Sequence, residues 1–225
     1  MEASRFDPFS ADIKATLASL KNAQKDREAA VDYMNAALAR SPYDASLYSS
    51  LSDIHLTYGE IESAIESGKK AVRCAPWLVS SYESLTNAYV EGGIESLTNG
   101  DVDGARKYFS ECSSIPQLLN ENAEKIPEKA QKLWRDRDKF MALNPAVKLN
   151  IGISQIYLGQ YGEAEESLKP ALENEETKAE ASFWQAVLAE KRGQTADAEK
   201  YLQQADENLA GQFETLVGLT AVPKE

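Results

Sequence analysis

An all-α array of stacked helix pairs is the fold class this sequence predicts, and three observations predict it. Pro8, Pro42 and Pro76 stand 34 residues apart. Small residues keep the same step of 34: Ala30 to Ala64, Ala37 to Ala71, Gly159 to Gly193, Ala164 to Ala198, Ala171 to Ala205. From Ala64 to Ala105 and from Ala71 to Cys112 the step is 41, so one insertion of seven residues explains both.

Each column has a physical task. Alanines seven apart are nearly two helical turns apart and lie on one face. A neighbouring backbone approaches closely there, and a larger side chain would cost roughly 1–3 kcal/mol in overpacking. Glycine ahead of the second helix supplies the tight reversal. Proline after it keeps that helix from continuing.

Taken in order, residues 11–42 carry Leu17, Ala30, Met34, Ala37 and Pro42, with Lys25 where the turn glycine belongs. The second unit, YSSLSDIHLTYGEIESAIESGKKAVRCAP, is the most regular: Tyr48, Leu51, Ser52, Gly59, Ala64, Ala71 and Pro76. Residues 79–116 carry Tyr82, Leu85, Tyr89, Gly100, Ala105, Phe109 and Cys112. Within them Gly92 to Asn99 holds the insertion, and two readings stay open: a first helix about two turns longer, or a loop broken out by Gly92-Gly93. Residues 145–174 carry Ile151, Gly152, Gly159, Tyr161, Ala164, Leu168 and Ala171, and 179–208 carry Gly193, Ala198, Leu202 and Ala205. An additional helix is expected from about Pro127, where proline suits a first turn. Leu209, Phe213, Leu216 and Val217 form one stripe, as expected of a helix capping the last unit. The chain thus divides into three units (1–116), a linker helix region (117–144), two units (145–208) and a capping helix with tail (209–225).

On these columns the chain resembles the tetratricopeptide repeat (TPR) family. The resemblance implies a right-handed superhelix of antiparallel helix pairs whose first helices line a concave wall. His55 stands where that family has tyrosine and Gly68 where it has a bulky apolar residue, and both point to local looseness. The opening SRFDPF reads as the tail of a repeat whose helices are missing. The chain is therefore expected to be excised from a longer protein, or to leave its first unit to a partner.

Bulk properties narrow the function. The 225 residues are 43% hydrophobic and 27% charged, enough for a core and a solvated surface. A formal net charge of −12 repels nucleic acid. No apolar run is long enough to span a membrane, and no basic-then-apolar signal peptide is present. Localisation is left as cytoplasmic for a stand-alone chain and membrane-attached for a fragment of a membrane protein. Cys74 and Cys112 make no disulfide framework and are read as reduced, mostly buried thiols.

No catalytic, cofactor or metal site is expected. A single histidine, His55, excludes most acid–base and zinc arrangements. Phosphate loops, nucleophile elbows and paired-cysteine spacings are absent. Glu165-Glu166 and Glu175-Glu176 read as solvated helix ends. In Lys129 to Lys139, Asp136 and Asp138 alternate with the basic residues and dilute their field.

What remains is a binding role without catalysis, with a protein or peptide as partner. With Tyr48, Leu51 and His55 turned into the stack, Ser49, Ser50 and Asp53 face the groove. Glu83 and Asn87 do so in the third unit, Asn150 with Tyr157 in the fourth, and Phe183 and Trp184 in the fifth. Asn87 and Asn150 are suited to hold a peptide backbone. The family's clamp for a C-terminal carboxylate uses lysine and asparagine, whereas serine, aspartate and glutamate stand here, so that mode is disfavoured. A second resemblance, in spacing, is to the soluble tails of bacterial O-antigen ligase or polymerase membrane proteins. It implies an accessory docking domain within a glycan-handling protein.

Overall fold

The computed structural model describes residues 10–125, 143–205, 207–220 and 222. The described residues form thirteen helices and no strand. They fall into two compact units. One comprises the described residues within Met1–Ala88 and Leu119–Phe140, the other those within Tyr89–Leu118 and Met141–Glu225.

In the first unit, α1 (Ala11–Ala23) pairs with α2 (Arg27–Leu38), and α3 (Ala45–Thr57) pairs with α4 (Ile61–Cys74). The chain then enters α5 (Ser80–Thr98), in which the unit boundary falls. Polar side chains start α1, α2 and α3: Ser10, Asp26 and Asp44 each accept a hydrogen bond from a backbone N–H of the first turn. The reversals share one geometry. Lys25 and Gly59 have φ of +60° and +70°, and each N–H bonds to the carbonyl three residues back. The next N–H reaches five residues back, to Lys21 O and His55 O respectively. This is the Schellman closure, which needs a left-handed residue. Lys25 adopts it despite its Cβ.

The core lies where the small columns place it. Ala18, Ala30, Met34, Ala37, Leu47, Leu51 and Ile54 make one buried cluster. Ser52, fully buried, donates through Oγ to Ala64 O at 2.8 Å across the α3–α4 crossing. Tyr48 and Tyr82 each donate to the proline carbonyl six residues earlier, Pro42 O at 3.3 Å and Pro76 O at 2.7 Å. The proline column thus also receives the aromatic column.

Two expected weak points are tight instead. A Cβ on Gly68 would lie 3.0 Å from Leu85 Cα, so the missing side chain is what admits α5. His55 bonds through Nδ1 to Glu60 at 2.6 Å, and Glu60 also pairs with Arg27. The histidine exchanges a tyrosine's packing for a polar tie from helix to turn.

In the second unit, the last part of α5 meets α6 (Val102–Ser113), and α7 (Ile115–Glu124) follows. α7 crosses back into the first unit, where Asn122 donates to the Tyr82 hydroxyl at 3.0 Å. Next come α8 (Pro145–Tyr157) with α9 (Tyr161–Leu172), and α10 (Lys178–Lys191) with α11 (Thr195–Leu202). Two short helices end the described chain, α12 (Glu207–Ala210) and α13 (Phe213–Gly218).

The insertion lengthens a helix rather than opening a loop. α5 runs 19 residues where α3 has 13. Seven residues keep its faces in register, because they add about two whole turns. Gly93 does not break the helix; a Cβ there would collide with the Phe109 ring, so the glycine admits that ring. The expected capping helix is instead two pieces separated at Gly211-Gln212. The expected helix from Pro127 and the Lys129 to Lys139 stretch lie outside the described residues, as does Pro8.

Candidate functional site

The residues read as groove-lining divide between the two units: Ser49, Ser50, Asp53, Glu83 and Asn87 in the first, Asn150 and Trp184 in the second. They are therefore two surfaces, taken separately.

In the first unit, Ser49, Ser50 and Asp53 stand on one face of α3, and Glu83 and Asn87 on α5. Four residues separate Glu83 from Asn87 and Ser49 from Asp53, so each pair shares a helical face. Asp53, Glu83 and Asn87 are exposed, and Ser49 and Ser50 half-buried. Side-chain interactions join the two helices here. Ser84 hydrogen-bonds the Asp53 carboxylate, and the Glu83 charge is close enough to act on it. Loss of solvation is the larger influence and, with the Glu83 charge, it holds the Asp53 carboxyl above its ordinary value. Ser84 opposes both. Sequence reading missed Ser84, which sits one residue after Glu83 and is 8% exposed. A serine at the place equivalent to Ser50 was the available signal.

The first unit therefore presents two acidic groups on neighbouring helices, with hydroxyls and an amide beside them. The chemistry suits a cationic side chain, or the N–H groups of an extended backbone. Among the described residues no group of three or more metal-ligating side chains forms.

The second unit differs. Trp184 is 4% exposed and meets Phe183 and Tyr157 edge to face, at 5.3 Å and 6.1 Å between ring centroids. Asn150 is 8% exposed, and its carbonyl accepts from Ser154 Oγ at 2.9 Å and from Cys112 Sγ at 3.5 Å. Both residues belong to the packed interior of this unit, where large apolar neighbours take up the area that the first unit leaves to solvent. Cys112 is fully buried, and burial pushes its thiol up to about 12, the value of an inert core cysteine. Cys74 is half-buried, and neither cysteine forms a disulfide. Glu165 and Glu166 pair with Arg192 and Lys169.

Comparisons with known proteins agree with this architecture. No curated protein matches the chain. Among solved structures, TTC0263, a thermophilic TPR protein of Thermus thermophilus, is 23% identical with a TM-score of 0.63, covering 92% of this chain and 99% of its own. PilW, a type IV pilus biogenesis factor, is 19% identical with a TM-score of 0.56, covering 92% of this chain and 77% of its own. YrrB, a TPR protein described as having an unusual peptide-binding site, is 15% identical with a TM-score of 0.50, covering 95% and 96%. At these identities the likeness is one of fold. The similarity to O-antigen ligase tails finds no support in these matches. Among the described residues no helix is long and apolar enough to cross a membrane. The family model for tetratricopeptide repeats matches residues 16–76 and 149–212, together more than half of the chain. With the shared turn geometry and buried small columns, this places the chain in the tetratricopeptide repeat family.

Proposed function

We propose that this chain is a non-enzymatic binding module whose first unit holds an extended, positively charged peptide on the faces of α3 and α5. The observation that carries the reading is the Asp53 carboxylate, kept partly desolvated beside Glu83 and hydrogen-bonded by Ser84. A cation brought to that face relieves the repulsion and recovers the solvation cost. Asn87, exposed one turn after Glu83, offers an amide that both donates to and accepts from a peptide backbone. A peptide ending in a free carboxylate would be repelled.

The test is fluorescence anisotropy with labelled decapeptide pools, one rich in lysine and arginine and one rich in aspartate and glutamate. The basic pool is expected to bind saturably and more weakly as salt rises, and the acidic pool not to bind. Replacing Asp53→Asn together with Asn87→Ala should weaken binding at least ten-fold. Undiminished binding by that double variant, or equal binding of both pools, rules the site out.

A further inference from the structure

The turn glycines set a common register that exposes a contrast between the units. Counting back from Gly59, Gly159 and Gly193, the place of Ser49 is taken by Leu149 and Phe183. That of Asp53 is taken by Ile153 and Val187, and that of Thr57 by Tyr157 and Lys191. The face that is polar in the first unit is apolar in the second, apart from one lysine. It is not open to solvent: Leu149, Ile153, Tyr157, Phe183 and Val187 are all buried.

The chain itself covers part of this face. The Phe213 ring meets Phe183 edge to face at 6.2 Å. Leu216 is buried, and its carbonyl accepts from the Tyr157 hydroxyl at 3.1 Å. Lys191 Nζ donates to Val217 O at 3.0 Å and Leu219 O at 2.7 Å, and lies 5.2 Å from the centre of the Tyr157 ring. Further on, Val222 is buried and its N–H donates to Tyr157 O at 2.7 Å. Side chains seated on an apolar face, with backbone groups met by fixed donors and acceptors, are the way grooves take peptides. A helix that merely capped the stack would rest on both α10 and α11, the last pair. α13 instead packs mainly against α10, and Tyr157 of α8, in the pair before, bonds to Leu216 and Val222.

We propose that the inner face of the second unit is a binding groove for apolar peptide segments, and that residues 213–220 with Val222 are its resident occupant. A partner segment of the same chemistry displaces them: aromatic and leucine side chains one turn apart, followed by backbone carbonyls within reach of Lys191. The proposal is independent of the acidic surface of the first unit, since it shares no residue with it.

The experiment uses the full chain and a labelled synthetic peptide, FETLVGLTAV. In the variant Phe213→Ser/Leu216→Asp, which releases the resident segment, the peptide should bind at least ten-fold more tightly than to the native chain. Adding Lys191→Met should remove most of that gain. Circular dichroism and thermal melting report whether the variant keeps its helices. In the native chain, amide hydrogen exchange should be at least ten-fold faster across 213–220 than across α10, as a detachable segment requires. Exchange of both at one rate would make the segment ordinary core and overturn the proposal, whatever the variant does. So would a well-folded release variant that binds no peptide, or a native chain that binds it equally well.

Discussion

Lys25 shows how one residue carries the cost of the repeat geometry. Its φ of +60° matches that of the turn glycines, which range from +69° to +78°. A left-handed residue with a Cβ costs roughly 1–2 kcal/mol, and glycine removes it at the expense of a more flexible unfolded chain. Lys25→Gly is expected to stabilise the protein by about 0.5–1 kcal/mol net, read as a higher urea midpoint at unchanged slope. Asp53 carries a cost of a different kind. Because its carboxyl titrates above 3.8 when folded, the ionised form opposes folding, and stability falls as pH rises from the ordinary carboxylate range through the raised value. Asp53→Asn should therefore raise stability at pH 7, by about 1 kcal/mol or less at so exposed a site. The difference should vanish at about pH 3, where the carboxyl is protonated in both states. Thermal melts across that range check it. The proposed ligand and the folded state thus make opposite demands on this side chain.

At the scale of the helix, the small positions set how closely neighbours approach. Gly68 faces backbone rather than a flexible side chain, since its missing Cβ would meet Leu85 Cα. Gly68→Ala is expected to cost about 1–3 kcal/mol, although alanine favours helix more than glycine does; chemical denaturation measures the balance, and a stabilised variant would mean that α4 and α5 can part freely. The helices also show why the expectations about Gly68, Gly92 and Gly93 needed revision. A glycine inside a helix pattern signals either weakness or close approach, and local sequence does not distinguish them. Only the position of Leu85 and Phe109 opposite Gly68 and Gly93 does so. The break of the last stripe at Gly211-Gln212 is similar, because the stripe of apolar residues passes through it unchanged.

For the molecule as a whole, an excess of acidic groups dominates. With a formal net charge of −12, self-repulsion opposes compaction at neutral pH. Raising sodium chloride from about 50 mM to about 500 mM shortens the screening length. It should raise the thermal midpoint, while weakening any basic peptide held at Asp53 and Glu83. A midpoint unmoved by salt would show that local ion pairs such as Glu60 with Arg27 offset the repulsion.

The sequence by itself determined the paired helices, their turns and their buried small residues, because stacking at fixed separation forces the same residue sizes back at the same intervals. Ala30, Ala64, Ala105 and Ala164 are fully buried, and Ala198 nearly so. The same periodicity turned Asp53 and Glu83 away from the packing columns, and both are exposed. It could not reveal that Ser84 hydrogen-bonds Asp53, because that contact runs from α5 to α3, between side chains of different helix pairs. Nor could it show that the equivalent face in the second unit is partly covered by residues 213–220 and Val222. Tertiary structure alone decided that, since a segment that returns along the chain is held by side chains and carbonyls for which no repeat interval exists.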